Sequence, residues 1–333
     1  MNPFVSVVIT TYNQESFIEA TVQSVLDQTY ANREVLVVDD GSTDSTPERL
    51  AAFGDRIIRI RQTNQGVAQS RNTGVRHATG ELLAFLDGDD IWEPEKLDVQ
   101  VDLYRQFPQA GLFVVDARSF SGSEVIEPST LRFAADEFIE SEEQETFCLS
   151  SYRALLPHNF IMTTSQVMIP AAVLARVGMS DRNLTIASDY DLYLRIAKHY
   201  DVAYTTRVLT NWRYLPTSVS GPAALRPFRC RVEELRVIRK QLKDAPPDIR
   251  AVILETMRTK SWLTARDAYY YGWKTDRVFS KRFLPELWGG NRRSPWPLFY
   301  WSALLLPPQS QEVIKTMARA VYPWRRRQFP GEL

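Results

Sequence analysis

The chain has 333 residues, enough for one large domain or two ordinary ones with a substantial core. Lys plus Arg and Asp plus Glu number 40 each, so no global field recruits nucleic acid or an acidic substrate. Cys148 and Cys230, the only cysteines, provide neither a disulfide framework nor Cys/His metal spacing, which fits a reducing cytoplasm.

Apolar runs set the expected element order. Phe4 to Thr10 reads as a strand that leads straight into patterned sequence rather than as a signal peptide. Glu15 to Asp27 has helical spacing at Phe17, Val22, Val25 and Leu26. Strands follow at Glu34 to Val38, Ile57 to Ile60 and Leu82 to Leu86, separated by helices at Thr46 to Phe53 and Gln69 to Ala78. Near-continuous apolar strands alternating with helices predict an α/β fold whose mostly parallel, Rossmann-like sheet is covered on both faces. In such sheets ligands bind beyond the carboxyl ends of the strands. Thr10-Thr11-Tyr12-Asn13, Asp39-Asp40-Gly41-Ser42 and Asp87-Gly88-Asp89-Asp90 each end a strand, so three polar clusters are expected along one rim.

The middle of the chain is less regular. A helix is expected from Trp92-Glu93-Pro94, strands at Leu112 to Ala117 and Ser165 to Ile169, and helices near Ala171 to Val177 and at Asp189 to His199. Residues 121 to 146 read as an acidic loop excursion. Helical segments at 226 to 243 and 248 to 271 precede a tail containing Trp288, Trp296, Trp301 and Trp324. Its longest apolar stretch, Leu298 to Leu306, stops at Pro307-Pro308 and is too short to span a bilayer. A boundary is placed near 220, giving units 1–220 and 221–333.

The carboxylates after Leu82 to Leu86 carry the sharpest chemical signal. Three of them in four positions at the end of a buried strand repel one another, which a divalent cation relieves; Mg2+ and Mn2+ prefer such hard oxygen ligands. A solvated acidic turn is the alternative.

Val5 to Asn13, Ser24-Val25-Leu26-Asp27-Gln28-Thr29-Tyr30 and Glu34 to Asp44 resemble the inverting glycosyltransferase family two, of the GT-A fold. Asn64-Gln65-Gly66, Ser70-Arg71-Asn72-Thr73-Gly74, Asp87-Gly88-Asp89 and Ser188-Asp189-Tyr190-Asp191 continue the resemblance in order. It implies a metal-dependent transfer of a hexosyl group from a nucleotide-diphosphate sugar to a glycan or lipid-linked acceptor. Asp89 would ligate Mn2+ or Mg2+, with Asp87 on the ribose or the metal's water shell. Thr10, Tyr12, Asn13 and Asp40 would line the base, a UDP- or dTDP-sugar being favoured because Asp40 suits an imide N–H. Arg71 or Arg76 would approach phosphate. Asp189 would be the general base, with Asp191 as fallback, although both also suit the start of a helix. Asp39-Asp40-Gly41 likewise suits a plain turn.

Ser188 stands where relatives carry Glu, and Leu215 where they often carry a metal-binding His. His77, His158 and His199 do not fill that place by spacing. The Trp-rich tail with Arg325-Arg326-Arg327 suits either packing on the catalytic domain or a peripheral contact at the inner face of the cell membrane. A nucleotidyltransferase of similar fold and a non-catalytic nucleotide-sugar binder are the alternative functions.

Overall fold

The computed structural model describes residues 2–131, 145–215 and 226–267. The chain divides into two compact units, Met1–Gly221 and Pro222–Leu333.

In the first unit, β1 (Val5–Thr11), β2 (Arg33–Asp39), β3 (Ile58–Arg61) and β4 (Leu82–Asp87) run parallel, joined by α1 (Ile18–Leu26), α2 (Thr46–Ala51) and α3 (Val67–His77). β-Branched residues dominate β1, every residue of which is buried. α1 buries Ile18, Thr21, Val22 and Val25, the stripe that helical spacing requires for one face on a sheet. α3 lies so close to β1 that a Cβ at Gly74 would collide with Val8. The expected strands and helices of this half are all present.

The second half of the sheet holds β5 (Ile91–Trp92), β6 (Ala110–Ser121), β7 (Glu124–Glu127), β8 (Thr146–Leu149), β9 (Val167–Pro170) and β10 (Asp201–Arg213). Among them lie α4 (Lys96–Gln106), α5 (Tyr152–Leu155), α6 (Ala171–Val177) and α7 (Ser188–Ala197). The order is β3-β2-β1-β4-β9-β6-β10-β5, with β7 on β6 and β8 on β10. β9 runs antiparallel to both β4 and β6, while β6 and β10 are parallel, so the sheet is mixed beyond β4.

Three local expectations change, and one strand was not anticipated. Trp92 belongs to a short strand on β10, and its helix begins only at Lys96, after Pro94 has been passed. Ser165 sits in a 3-10 turn, Thr164–Gln166, closed by a capping box between Thr163 and Gln166; the strand starts at Val167. Within the stretch expected to be loop, Glu124–Glu127 pairs with β6. β10 escapes apolar patterning because Thr205, Thr206, Arg207, Thr210 and Asn211 interrupt it, and its pairing with β6 shifts register around Thr205 and Val208.

In the second unit, α8 (Arg226–Lys240) and α9 (Pro247–Asp267) bury Val232, Leu235, Ile238, Ile253 and Met257 and are joined by Lys260–Glu234 at 2.6 Å. Among the described residues no helix is long and apolar enough to cross a membrane. The Trp-rich tail, its Arg325-Arg326-Arg327 cluster and residues 132–144 lie outside the described residues.

Gly74→Ala forces α3 away from β1 and should lower the unfolding free energy by about 1–3 kcal/mol. Urea denaturation with an unchanged m-value is the measurement.

Candidate active site

The order β2-β1-β4 reverses the direction of chain progression at β1, so a crevice opens beyond the carboxyl ends of β1 and β4. Strand pairing sets Thr10 beside Asp87 and Thr11 beside Asp39 at this rim. The ladder continues into the loops: Gly88 N donates to Thr10 O and Asp40 N to Thr11 O, both at 2.9 Å. Gly88 is required because a Cβ there would lie 2.9 Å from Thr11 Cβ, too close for the two loops to meet. The three polar clusters therefore converge.

One wall comes from the loops after β1 and β2. Asn13, in the left-handed region at φ 52°, donates its N–H to Ser42 Oγ (2.9 Å) and accepts from Thr43 N through Oδ1 (2.8 Å). Tyr12 is left exposed at the edge. Asp40 is buried, and its carboxylate accepts from Gln62 Nε2 (2.7 Å), Gln65 N (2.9 Å) and Gly66 N (2.8 Å). Asp40 thus anchors the loop that leads into α3, and Oδ2 carries only one of those bonds.

The floor is charged. Arg71, on α3, reaches Asp87 Oδ1 with Nη2 at 2.7 Å, while Arg76 turns back to Thr73 of its own helix. Burial alone would weaken the Arg71 guanidinium, but Asp87 and Asp189 beside it outweigh that and hold its pKa above the ordinary arginine range. Asp87 Oδ2 accepts from Thr164 Oγ1 at 3.2 Å. Asp89 is half-buried, and burial together with the Asp87 charge pushes its carboxyl up to about 6.

Asp90 plays a different part from Asp89. It is buried, takes Ser165 Oγ (2.6 Å) and Thr163 Oγ1 (3.3 Å) on Oδ2, and takes Arg213 N (2.8 Å) on Oδ1. Its carboxylate joins the loop after β4 to the 3-10 turn and to the end of β10.

The opposite wall is the first turn of α7. Asp189 is partly buried; burial pushes its carboxyl up to about 6 against the pull of Arg71, and its Oδ1 accepts its neighbour's N–H, Tyr190 N, at 2.7 Å. Tyr193, one turn on, is fully buried with no partner for its hydroxyl among the described residues, and burial followed by the Asp189 charge raises its pKa well above the usual range. Asp191 is not brought to this cluster. It is buried and paired at 2.9 Å with Arg195, whose other nitrogens hold the carbonyls of Val177, Gly178 and Met179.

Sequence reading missed the Thr163-Thr164-Ser165 turn and Arg213. A run of hydroxyl residues ahead of the apolar Val167-Met168-Ile169 was the available signal for the first. The second is set by tertiary pairing alone.

The donor set fits a hard divalent cation: two acidic side chains crowd the rim, and Asp89 pays an ionisation penalty that a cation would relieve. Among the described residues no group of three His, Cys, Asp or Glu side chains forms a metal cage, and Leu215 offers no ligand. Most of the coordination would fall to a phosphate ligand and water.

This fold is of the GT-A type. The chain matches the family model of glycosyl transferase family 2 over residues 6–177, about half its length, and belongs to that family. It is 45% identical over 102 residues to WfgD of Escherichia coli, a UDP-Glc:alpha-D-GlcNAc-diphosphoundecaprenol beta-1,3-glucosyltransferase, covering 30% of this chain and 40% of that one. S. aureus TarS 1-349 in complex with UDP-GlcNAc superposes with a TM-score of 0.61 at 14% identity, over 94% of this chain and 92% of that one. The mannosyltransferase PcManGT of Pyrobaculum calidifontis, in complex with GDP-Man and Mn2+, gives 0.59 at 20% identity, over 92% and 85%. Matches to several curated relatives span 64% or less of their length.

Asp90→Ala strands three donors and should cost about 2–4 kcal/mol of stability, whereas Asp89→Ala should change it by less than about 1 kcal/mol. Urea unfolding of the two variants side by side measures the difference.

Proposed function

We propose that the chain is an inverting glycosyltransferase that moves a sugar from a nucleotide-diphosphate donor, UDP- or dTDP-linked, to a hydroxyl of a glycan or lipid-linked acceptor. The observation that carries this reading is the Asp189 carboxylate, close enough to the Arg71–Asp87 pair to feel both charges across the rim crevice. Sugar-nucleotide complexes of structural neighbours, and the lipid-linked acceptor in the name of WfgD, support the substrate class.

On this reading the base lies against Tyr12 and Thr10, with the free capacity of Asp40 Oδ2 accepting its imide N–H. Asp89 would hold Mn2+ or Mg2+, with Asp87 acting through the water shell, and the ion when bound would neutralise charge on the diphosphate. Arg71 holds Asp87 in orientation through its 2.7 Å ion pair. Asp189 takes the proton from the acceptor hydroxyl, whose oxygen forms a bond to the anomeric carbon on the face opposite the diphosphate. The carbon–oxygen bond to the diphosphate breaks, its electron pair stays on the terminal phosphate, and configuration inverts. Asp189 ends protonated. The raised pKa suits this task, because a base that titrates near working pH both accepts and releases the proton readily.

On the same reading, residues 221–333 serve acceptor or membrane placement, and the protein lies either in the cytoplasm or peripherally at the inner face of the cell membrane. A thermal-shift panel of UDP-, dTDP- and GDP-sugars with and without Mn2+ tests the donor. Stabilisation of about 2.7 kcal/mol is expected at a hundredfold excess over Kd. Donor binding without transfer to any hydroxyl acceptor would instead mark a non-catalytic binder.

Asp189→Asn should leave donor affinity within about twofold and lower kcat at least about a hundredfold. In the parent protein kcat/KM should fall about tenfold per pH unit below about 6, because the base must be ionised. The asparagine variant should lose that acid limb.

A further inference from the structure

Arg213 is the last residue of β10, and two of its N–H groups are directed at the acidic loop. Its N–H donates to Asp90 Oδ1 at 2.8 Å and its Nε to Asp89 O at 2.8 Å. The guanidinium lies between two aromatic rings, 4.6 Å from the centre of Phe17 and 4.5 Å from that of Phe120. Stacking of this kind fixes the plane of the group and closes both its faces. The remaining N–H groups of Nη1 and Nη2 therefore emerge only along the guanidinium edge.

Those N–H groups have no partner among the described residues. Three other arginines of the unit are spent: Arg71 on Asp87, Arg195 on Asp191 and three carbonyls, and Arg118 on Glu93. Arg213 is instead a fixed cation, set beside Asp89 and Asp90 yet ion-paired with neither. Nature rarely immobilises an arginine this fully without giving its fork something to bind, and a phosphate takes two parallel N–H donors well. Arg213 enters from β10, on the side of the Asp89 loop away from the base-lining residues Thr10 and Asp40.

We propose that Arg213 binds the terminal phosphate of the nucleoside diphosphate through its Nη edge, as a fixed cation that stabilises the leaving group. The assignment rests on the donor-site reading above and adds to it a protein charge that needs no metal. As the sugar departs, negative charge collects on the terminal phosphate, and a preorganised guanidinium opposes it without reorganisation.

The test compares UDP with UMP by calorimetry in buffer containing EDTA, so that only protein charges discriminate between them. The parent chain should bind UDP more tightly than UMP. Arg213→Met should weaken UDP roughly tenfold to a hundredfold and UMP by less than about twofold, erasing the preference. Arg213→Lys keeps a charge but cannot reproduce the stacked fork, and it should retain part of the preference; it also serves if the methionine variant fails to fold. Equal weakening of both nucleotides in either variant, or an unchanged UDP preference, overturns the assignment while leaving the donor site standing. Failure of the parent chain to bind either nucleotide, with or without Mn2+, overturns the donor-site reading and this assignment together.

Discussion

The buried carboxylate of Asp90 is the constraint on which the site depends. One side chain accepts from the hydroxyls of Ser165 and Thr163 and from the backbone of Arg213, tying together the acidic loop, the 3-10 turn and the end of β10. Burial and the neighbouring Asp89 and Asp87 charges push its pKa well above the usual carboxylate range, and a polar group this deeply buried is tolerated only while its hydrogen-bond partners are in place. Its position therefore fixes theirs. The Thr164 hydroxyl that steadies Asp87 and the guanidinium that reaches Asp89 O both follow from this clamp.

Beneath the clamp lies a second buried polar set. Lys96 is fully buried with Nζ 3.7 Å from the centre of the Trp92 ring and 2.7 Å from Gln100 Oε1. Gln100 Nε2 in turn donates to the carbonyls of Phe113 and Gln166, and Trp92 Nε1 donates to Ser165 O at 2.9 Å. Burial drives the Lys96 amine well below its ordinary pKa, and its bond to Gln100 fixes the amide that holds the turn. The Asp87–Asp90 loop and the 163–166 turn are thus supported from below by hydrogen bonds, which keeps them in register with each other.

The legibility of the sequence followed how local each feature is. β1 to β4 and their helices were readable because their burial is periodic and their connections are short. The rim clusters were readable because parallel topology alone places strand ends together. Asp191 shows the limit of that reading: two positions from Asp189 in sequence, it turns to another face of α7 and meets Arg195. β10 was illegible, since its polar residues are satisfied by partners far away in the chain and its register is irregular. Arg213 shared that obscurity. Asp40 illustrates a subtler failure, because a carboxylate expected beside a ligand also carries the loop into α3, a duty no spacing rule announces.

The bond from Arg213 N to Asp90 spans 123 residues, whereas the strands of the first half are linked by short crossovers. Contacts of such separation close late, because the entropy of a long loop must be met before they contribute. The parallel half can therefore order itself while the chain is still being made, with its acidic loop incomplete. Only when β10 is threaded into the sheet does Asp90 receive its backbone donor. The rim is consequently the last region to mature, and a nascent or truncated chain lacking residue 213 carries every carboxylate of the loop but not the geometry that organises them.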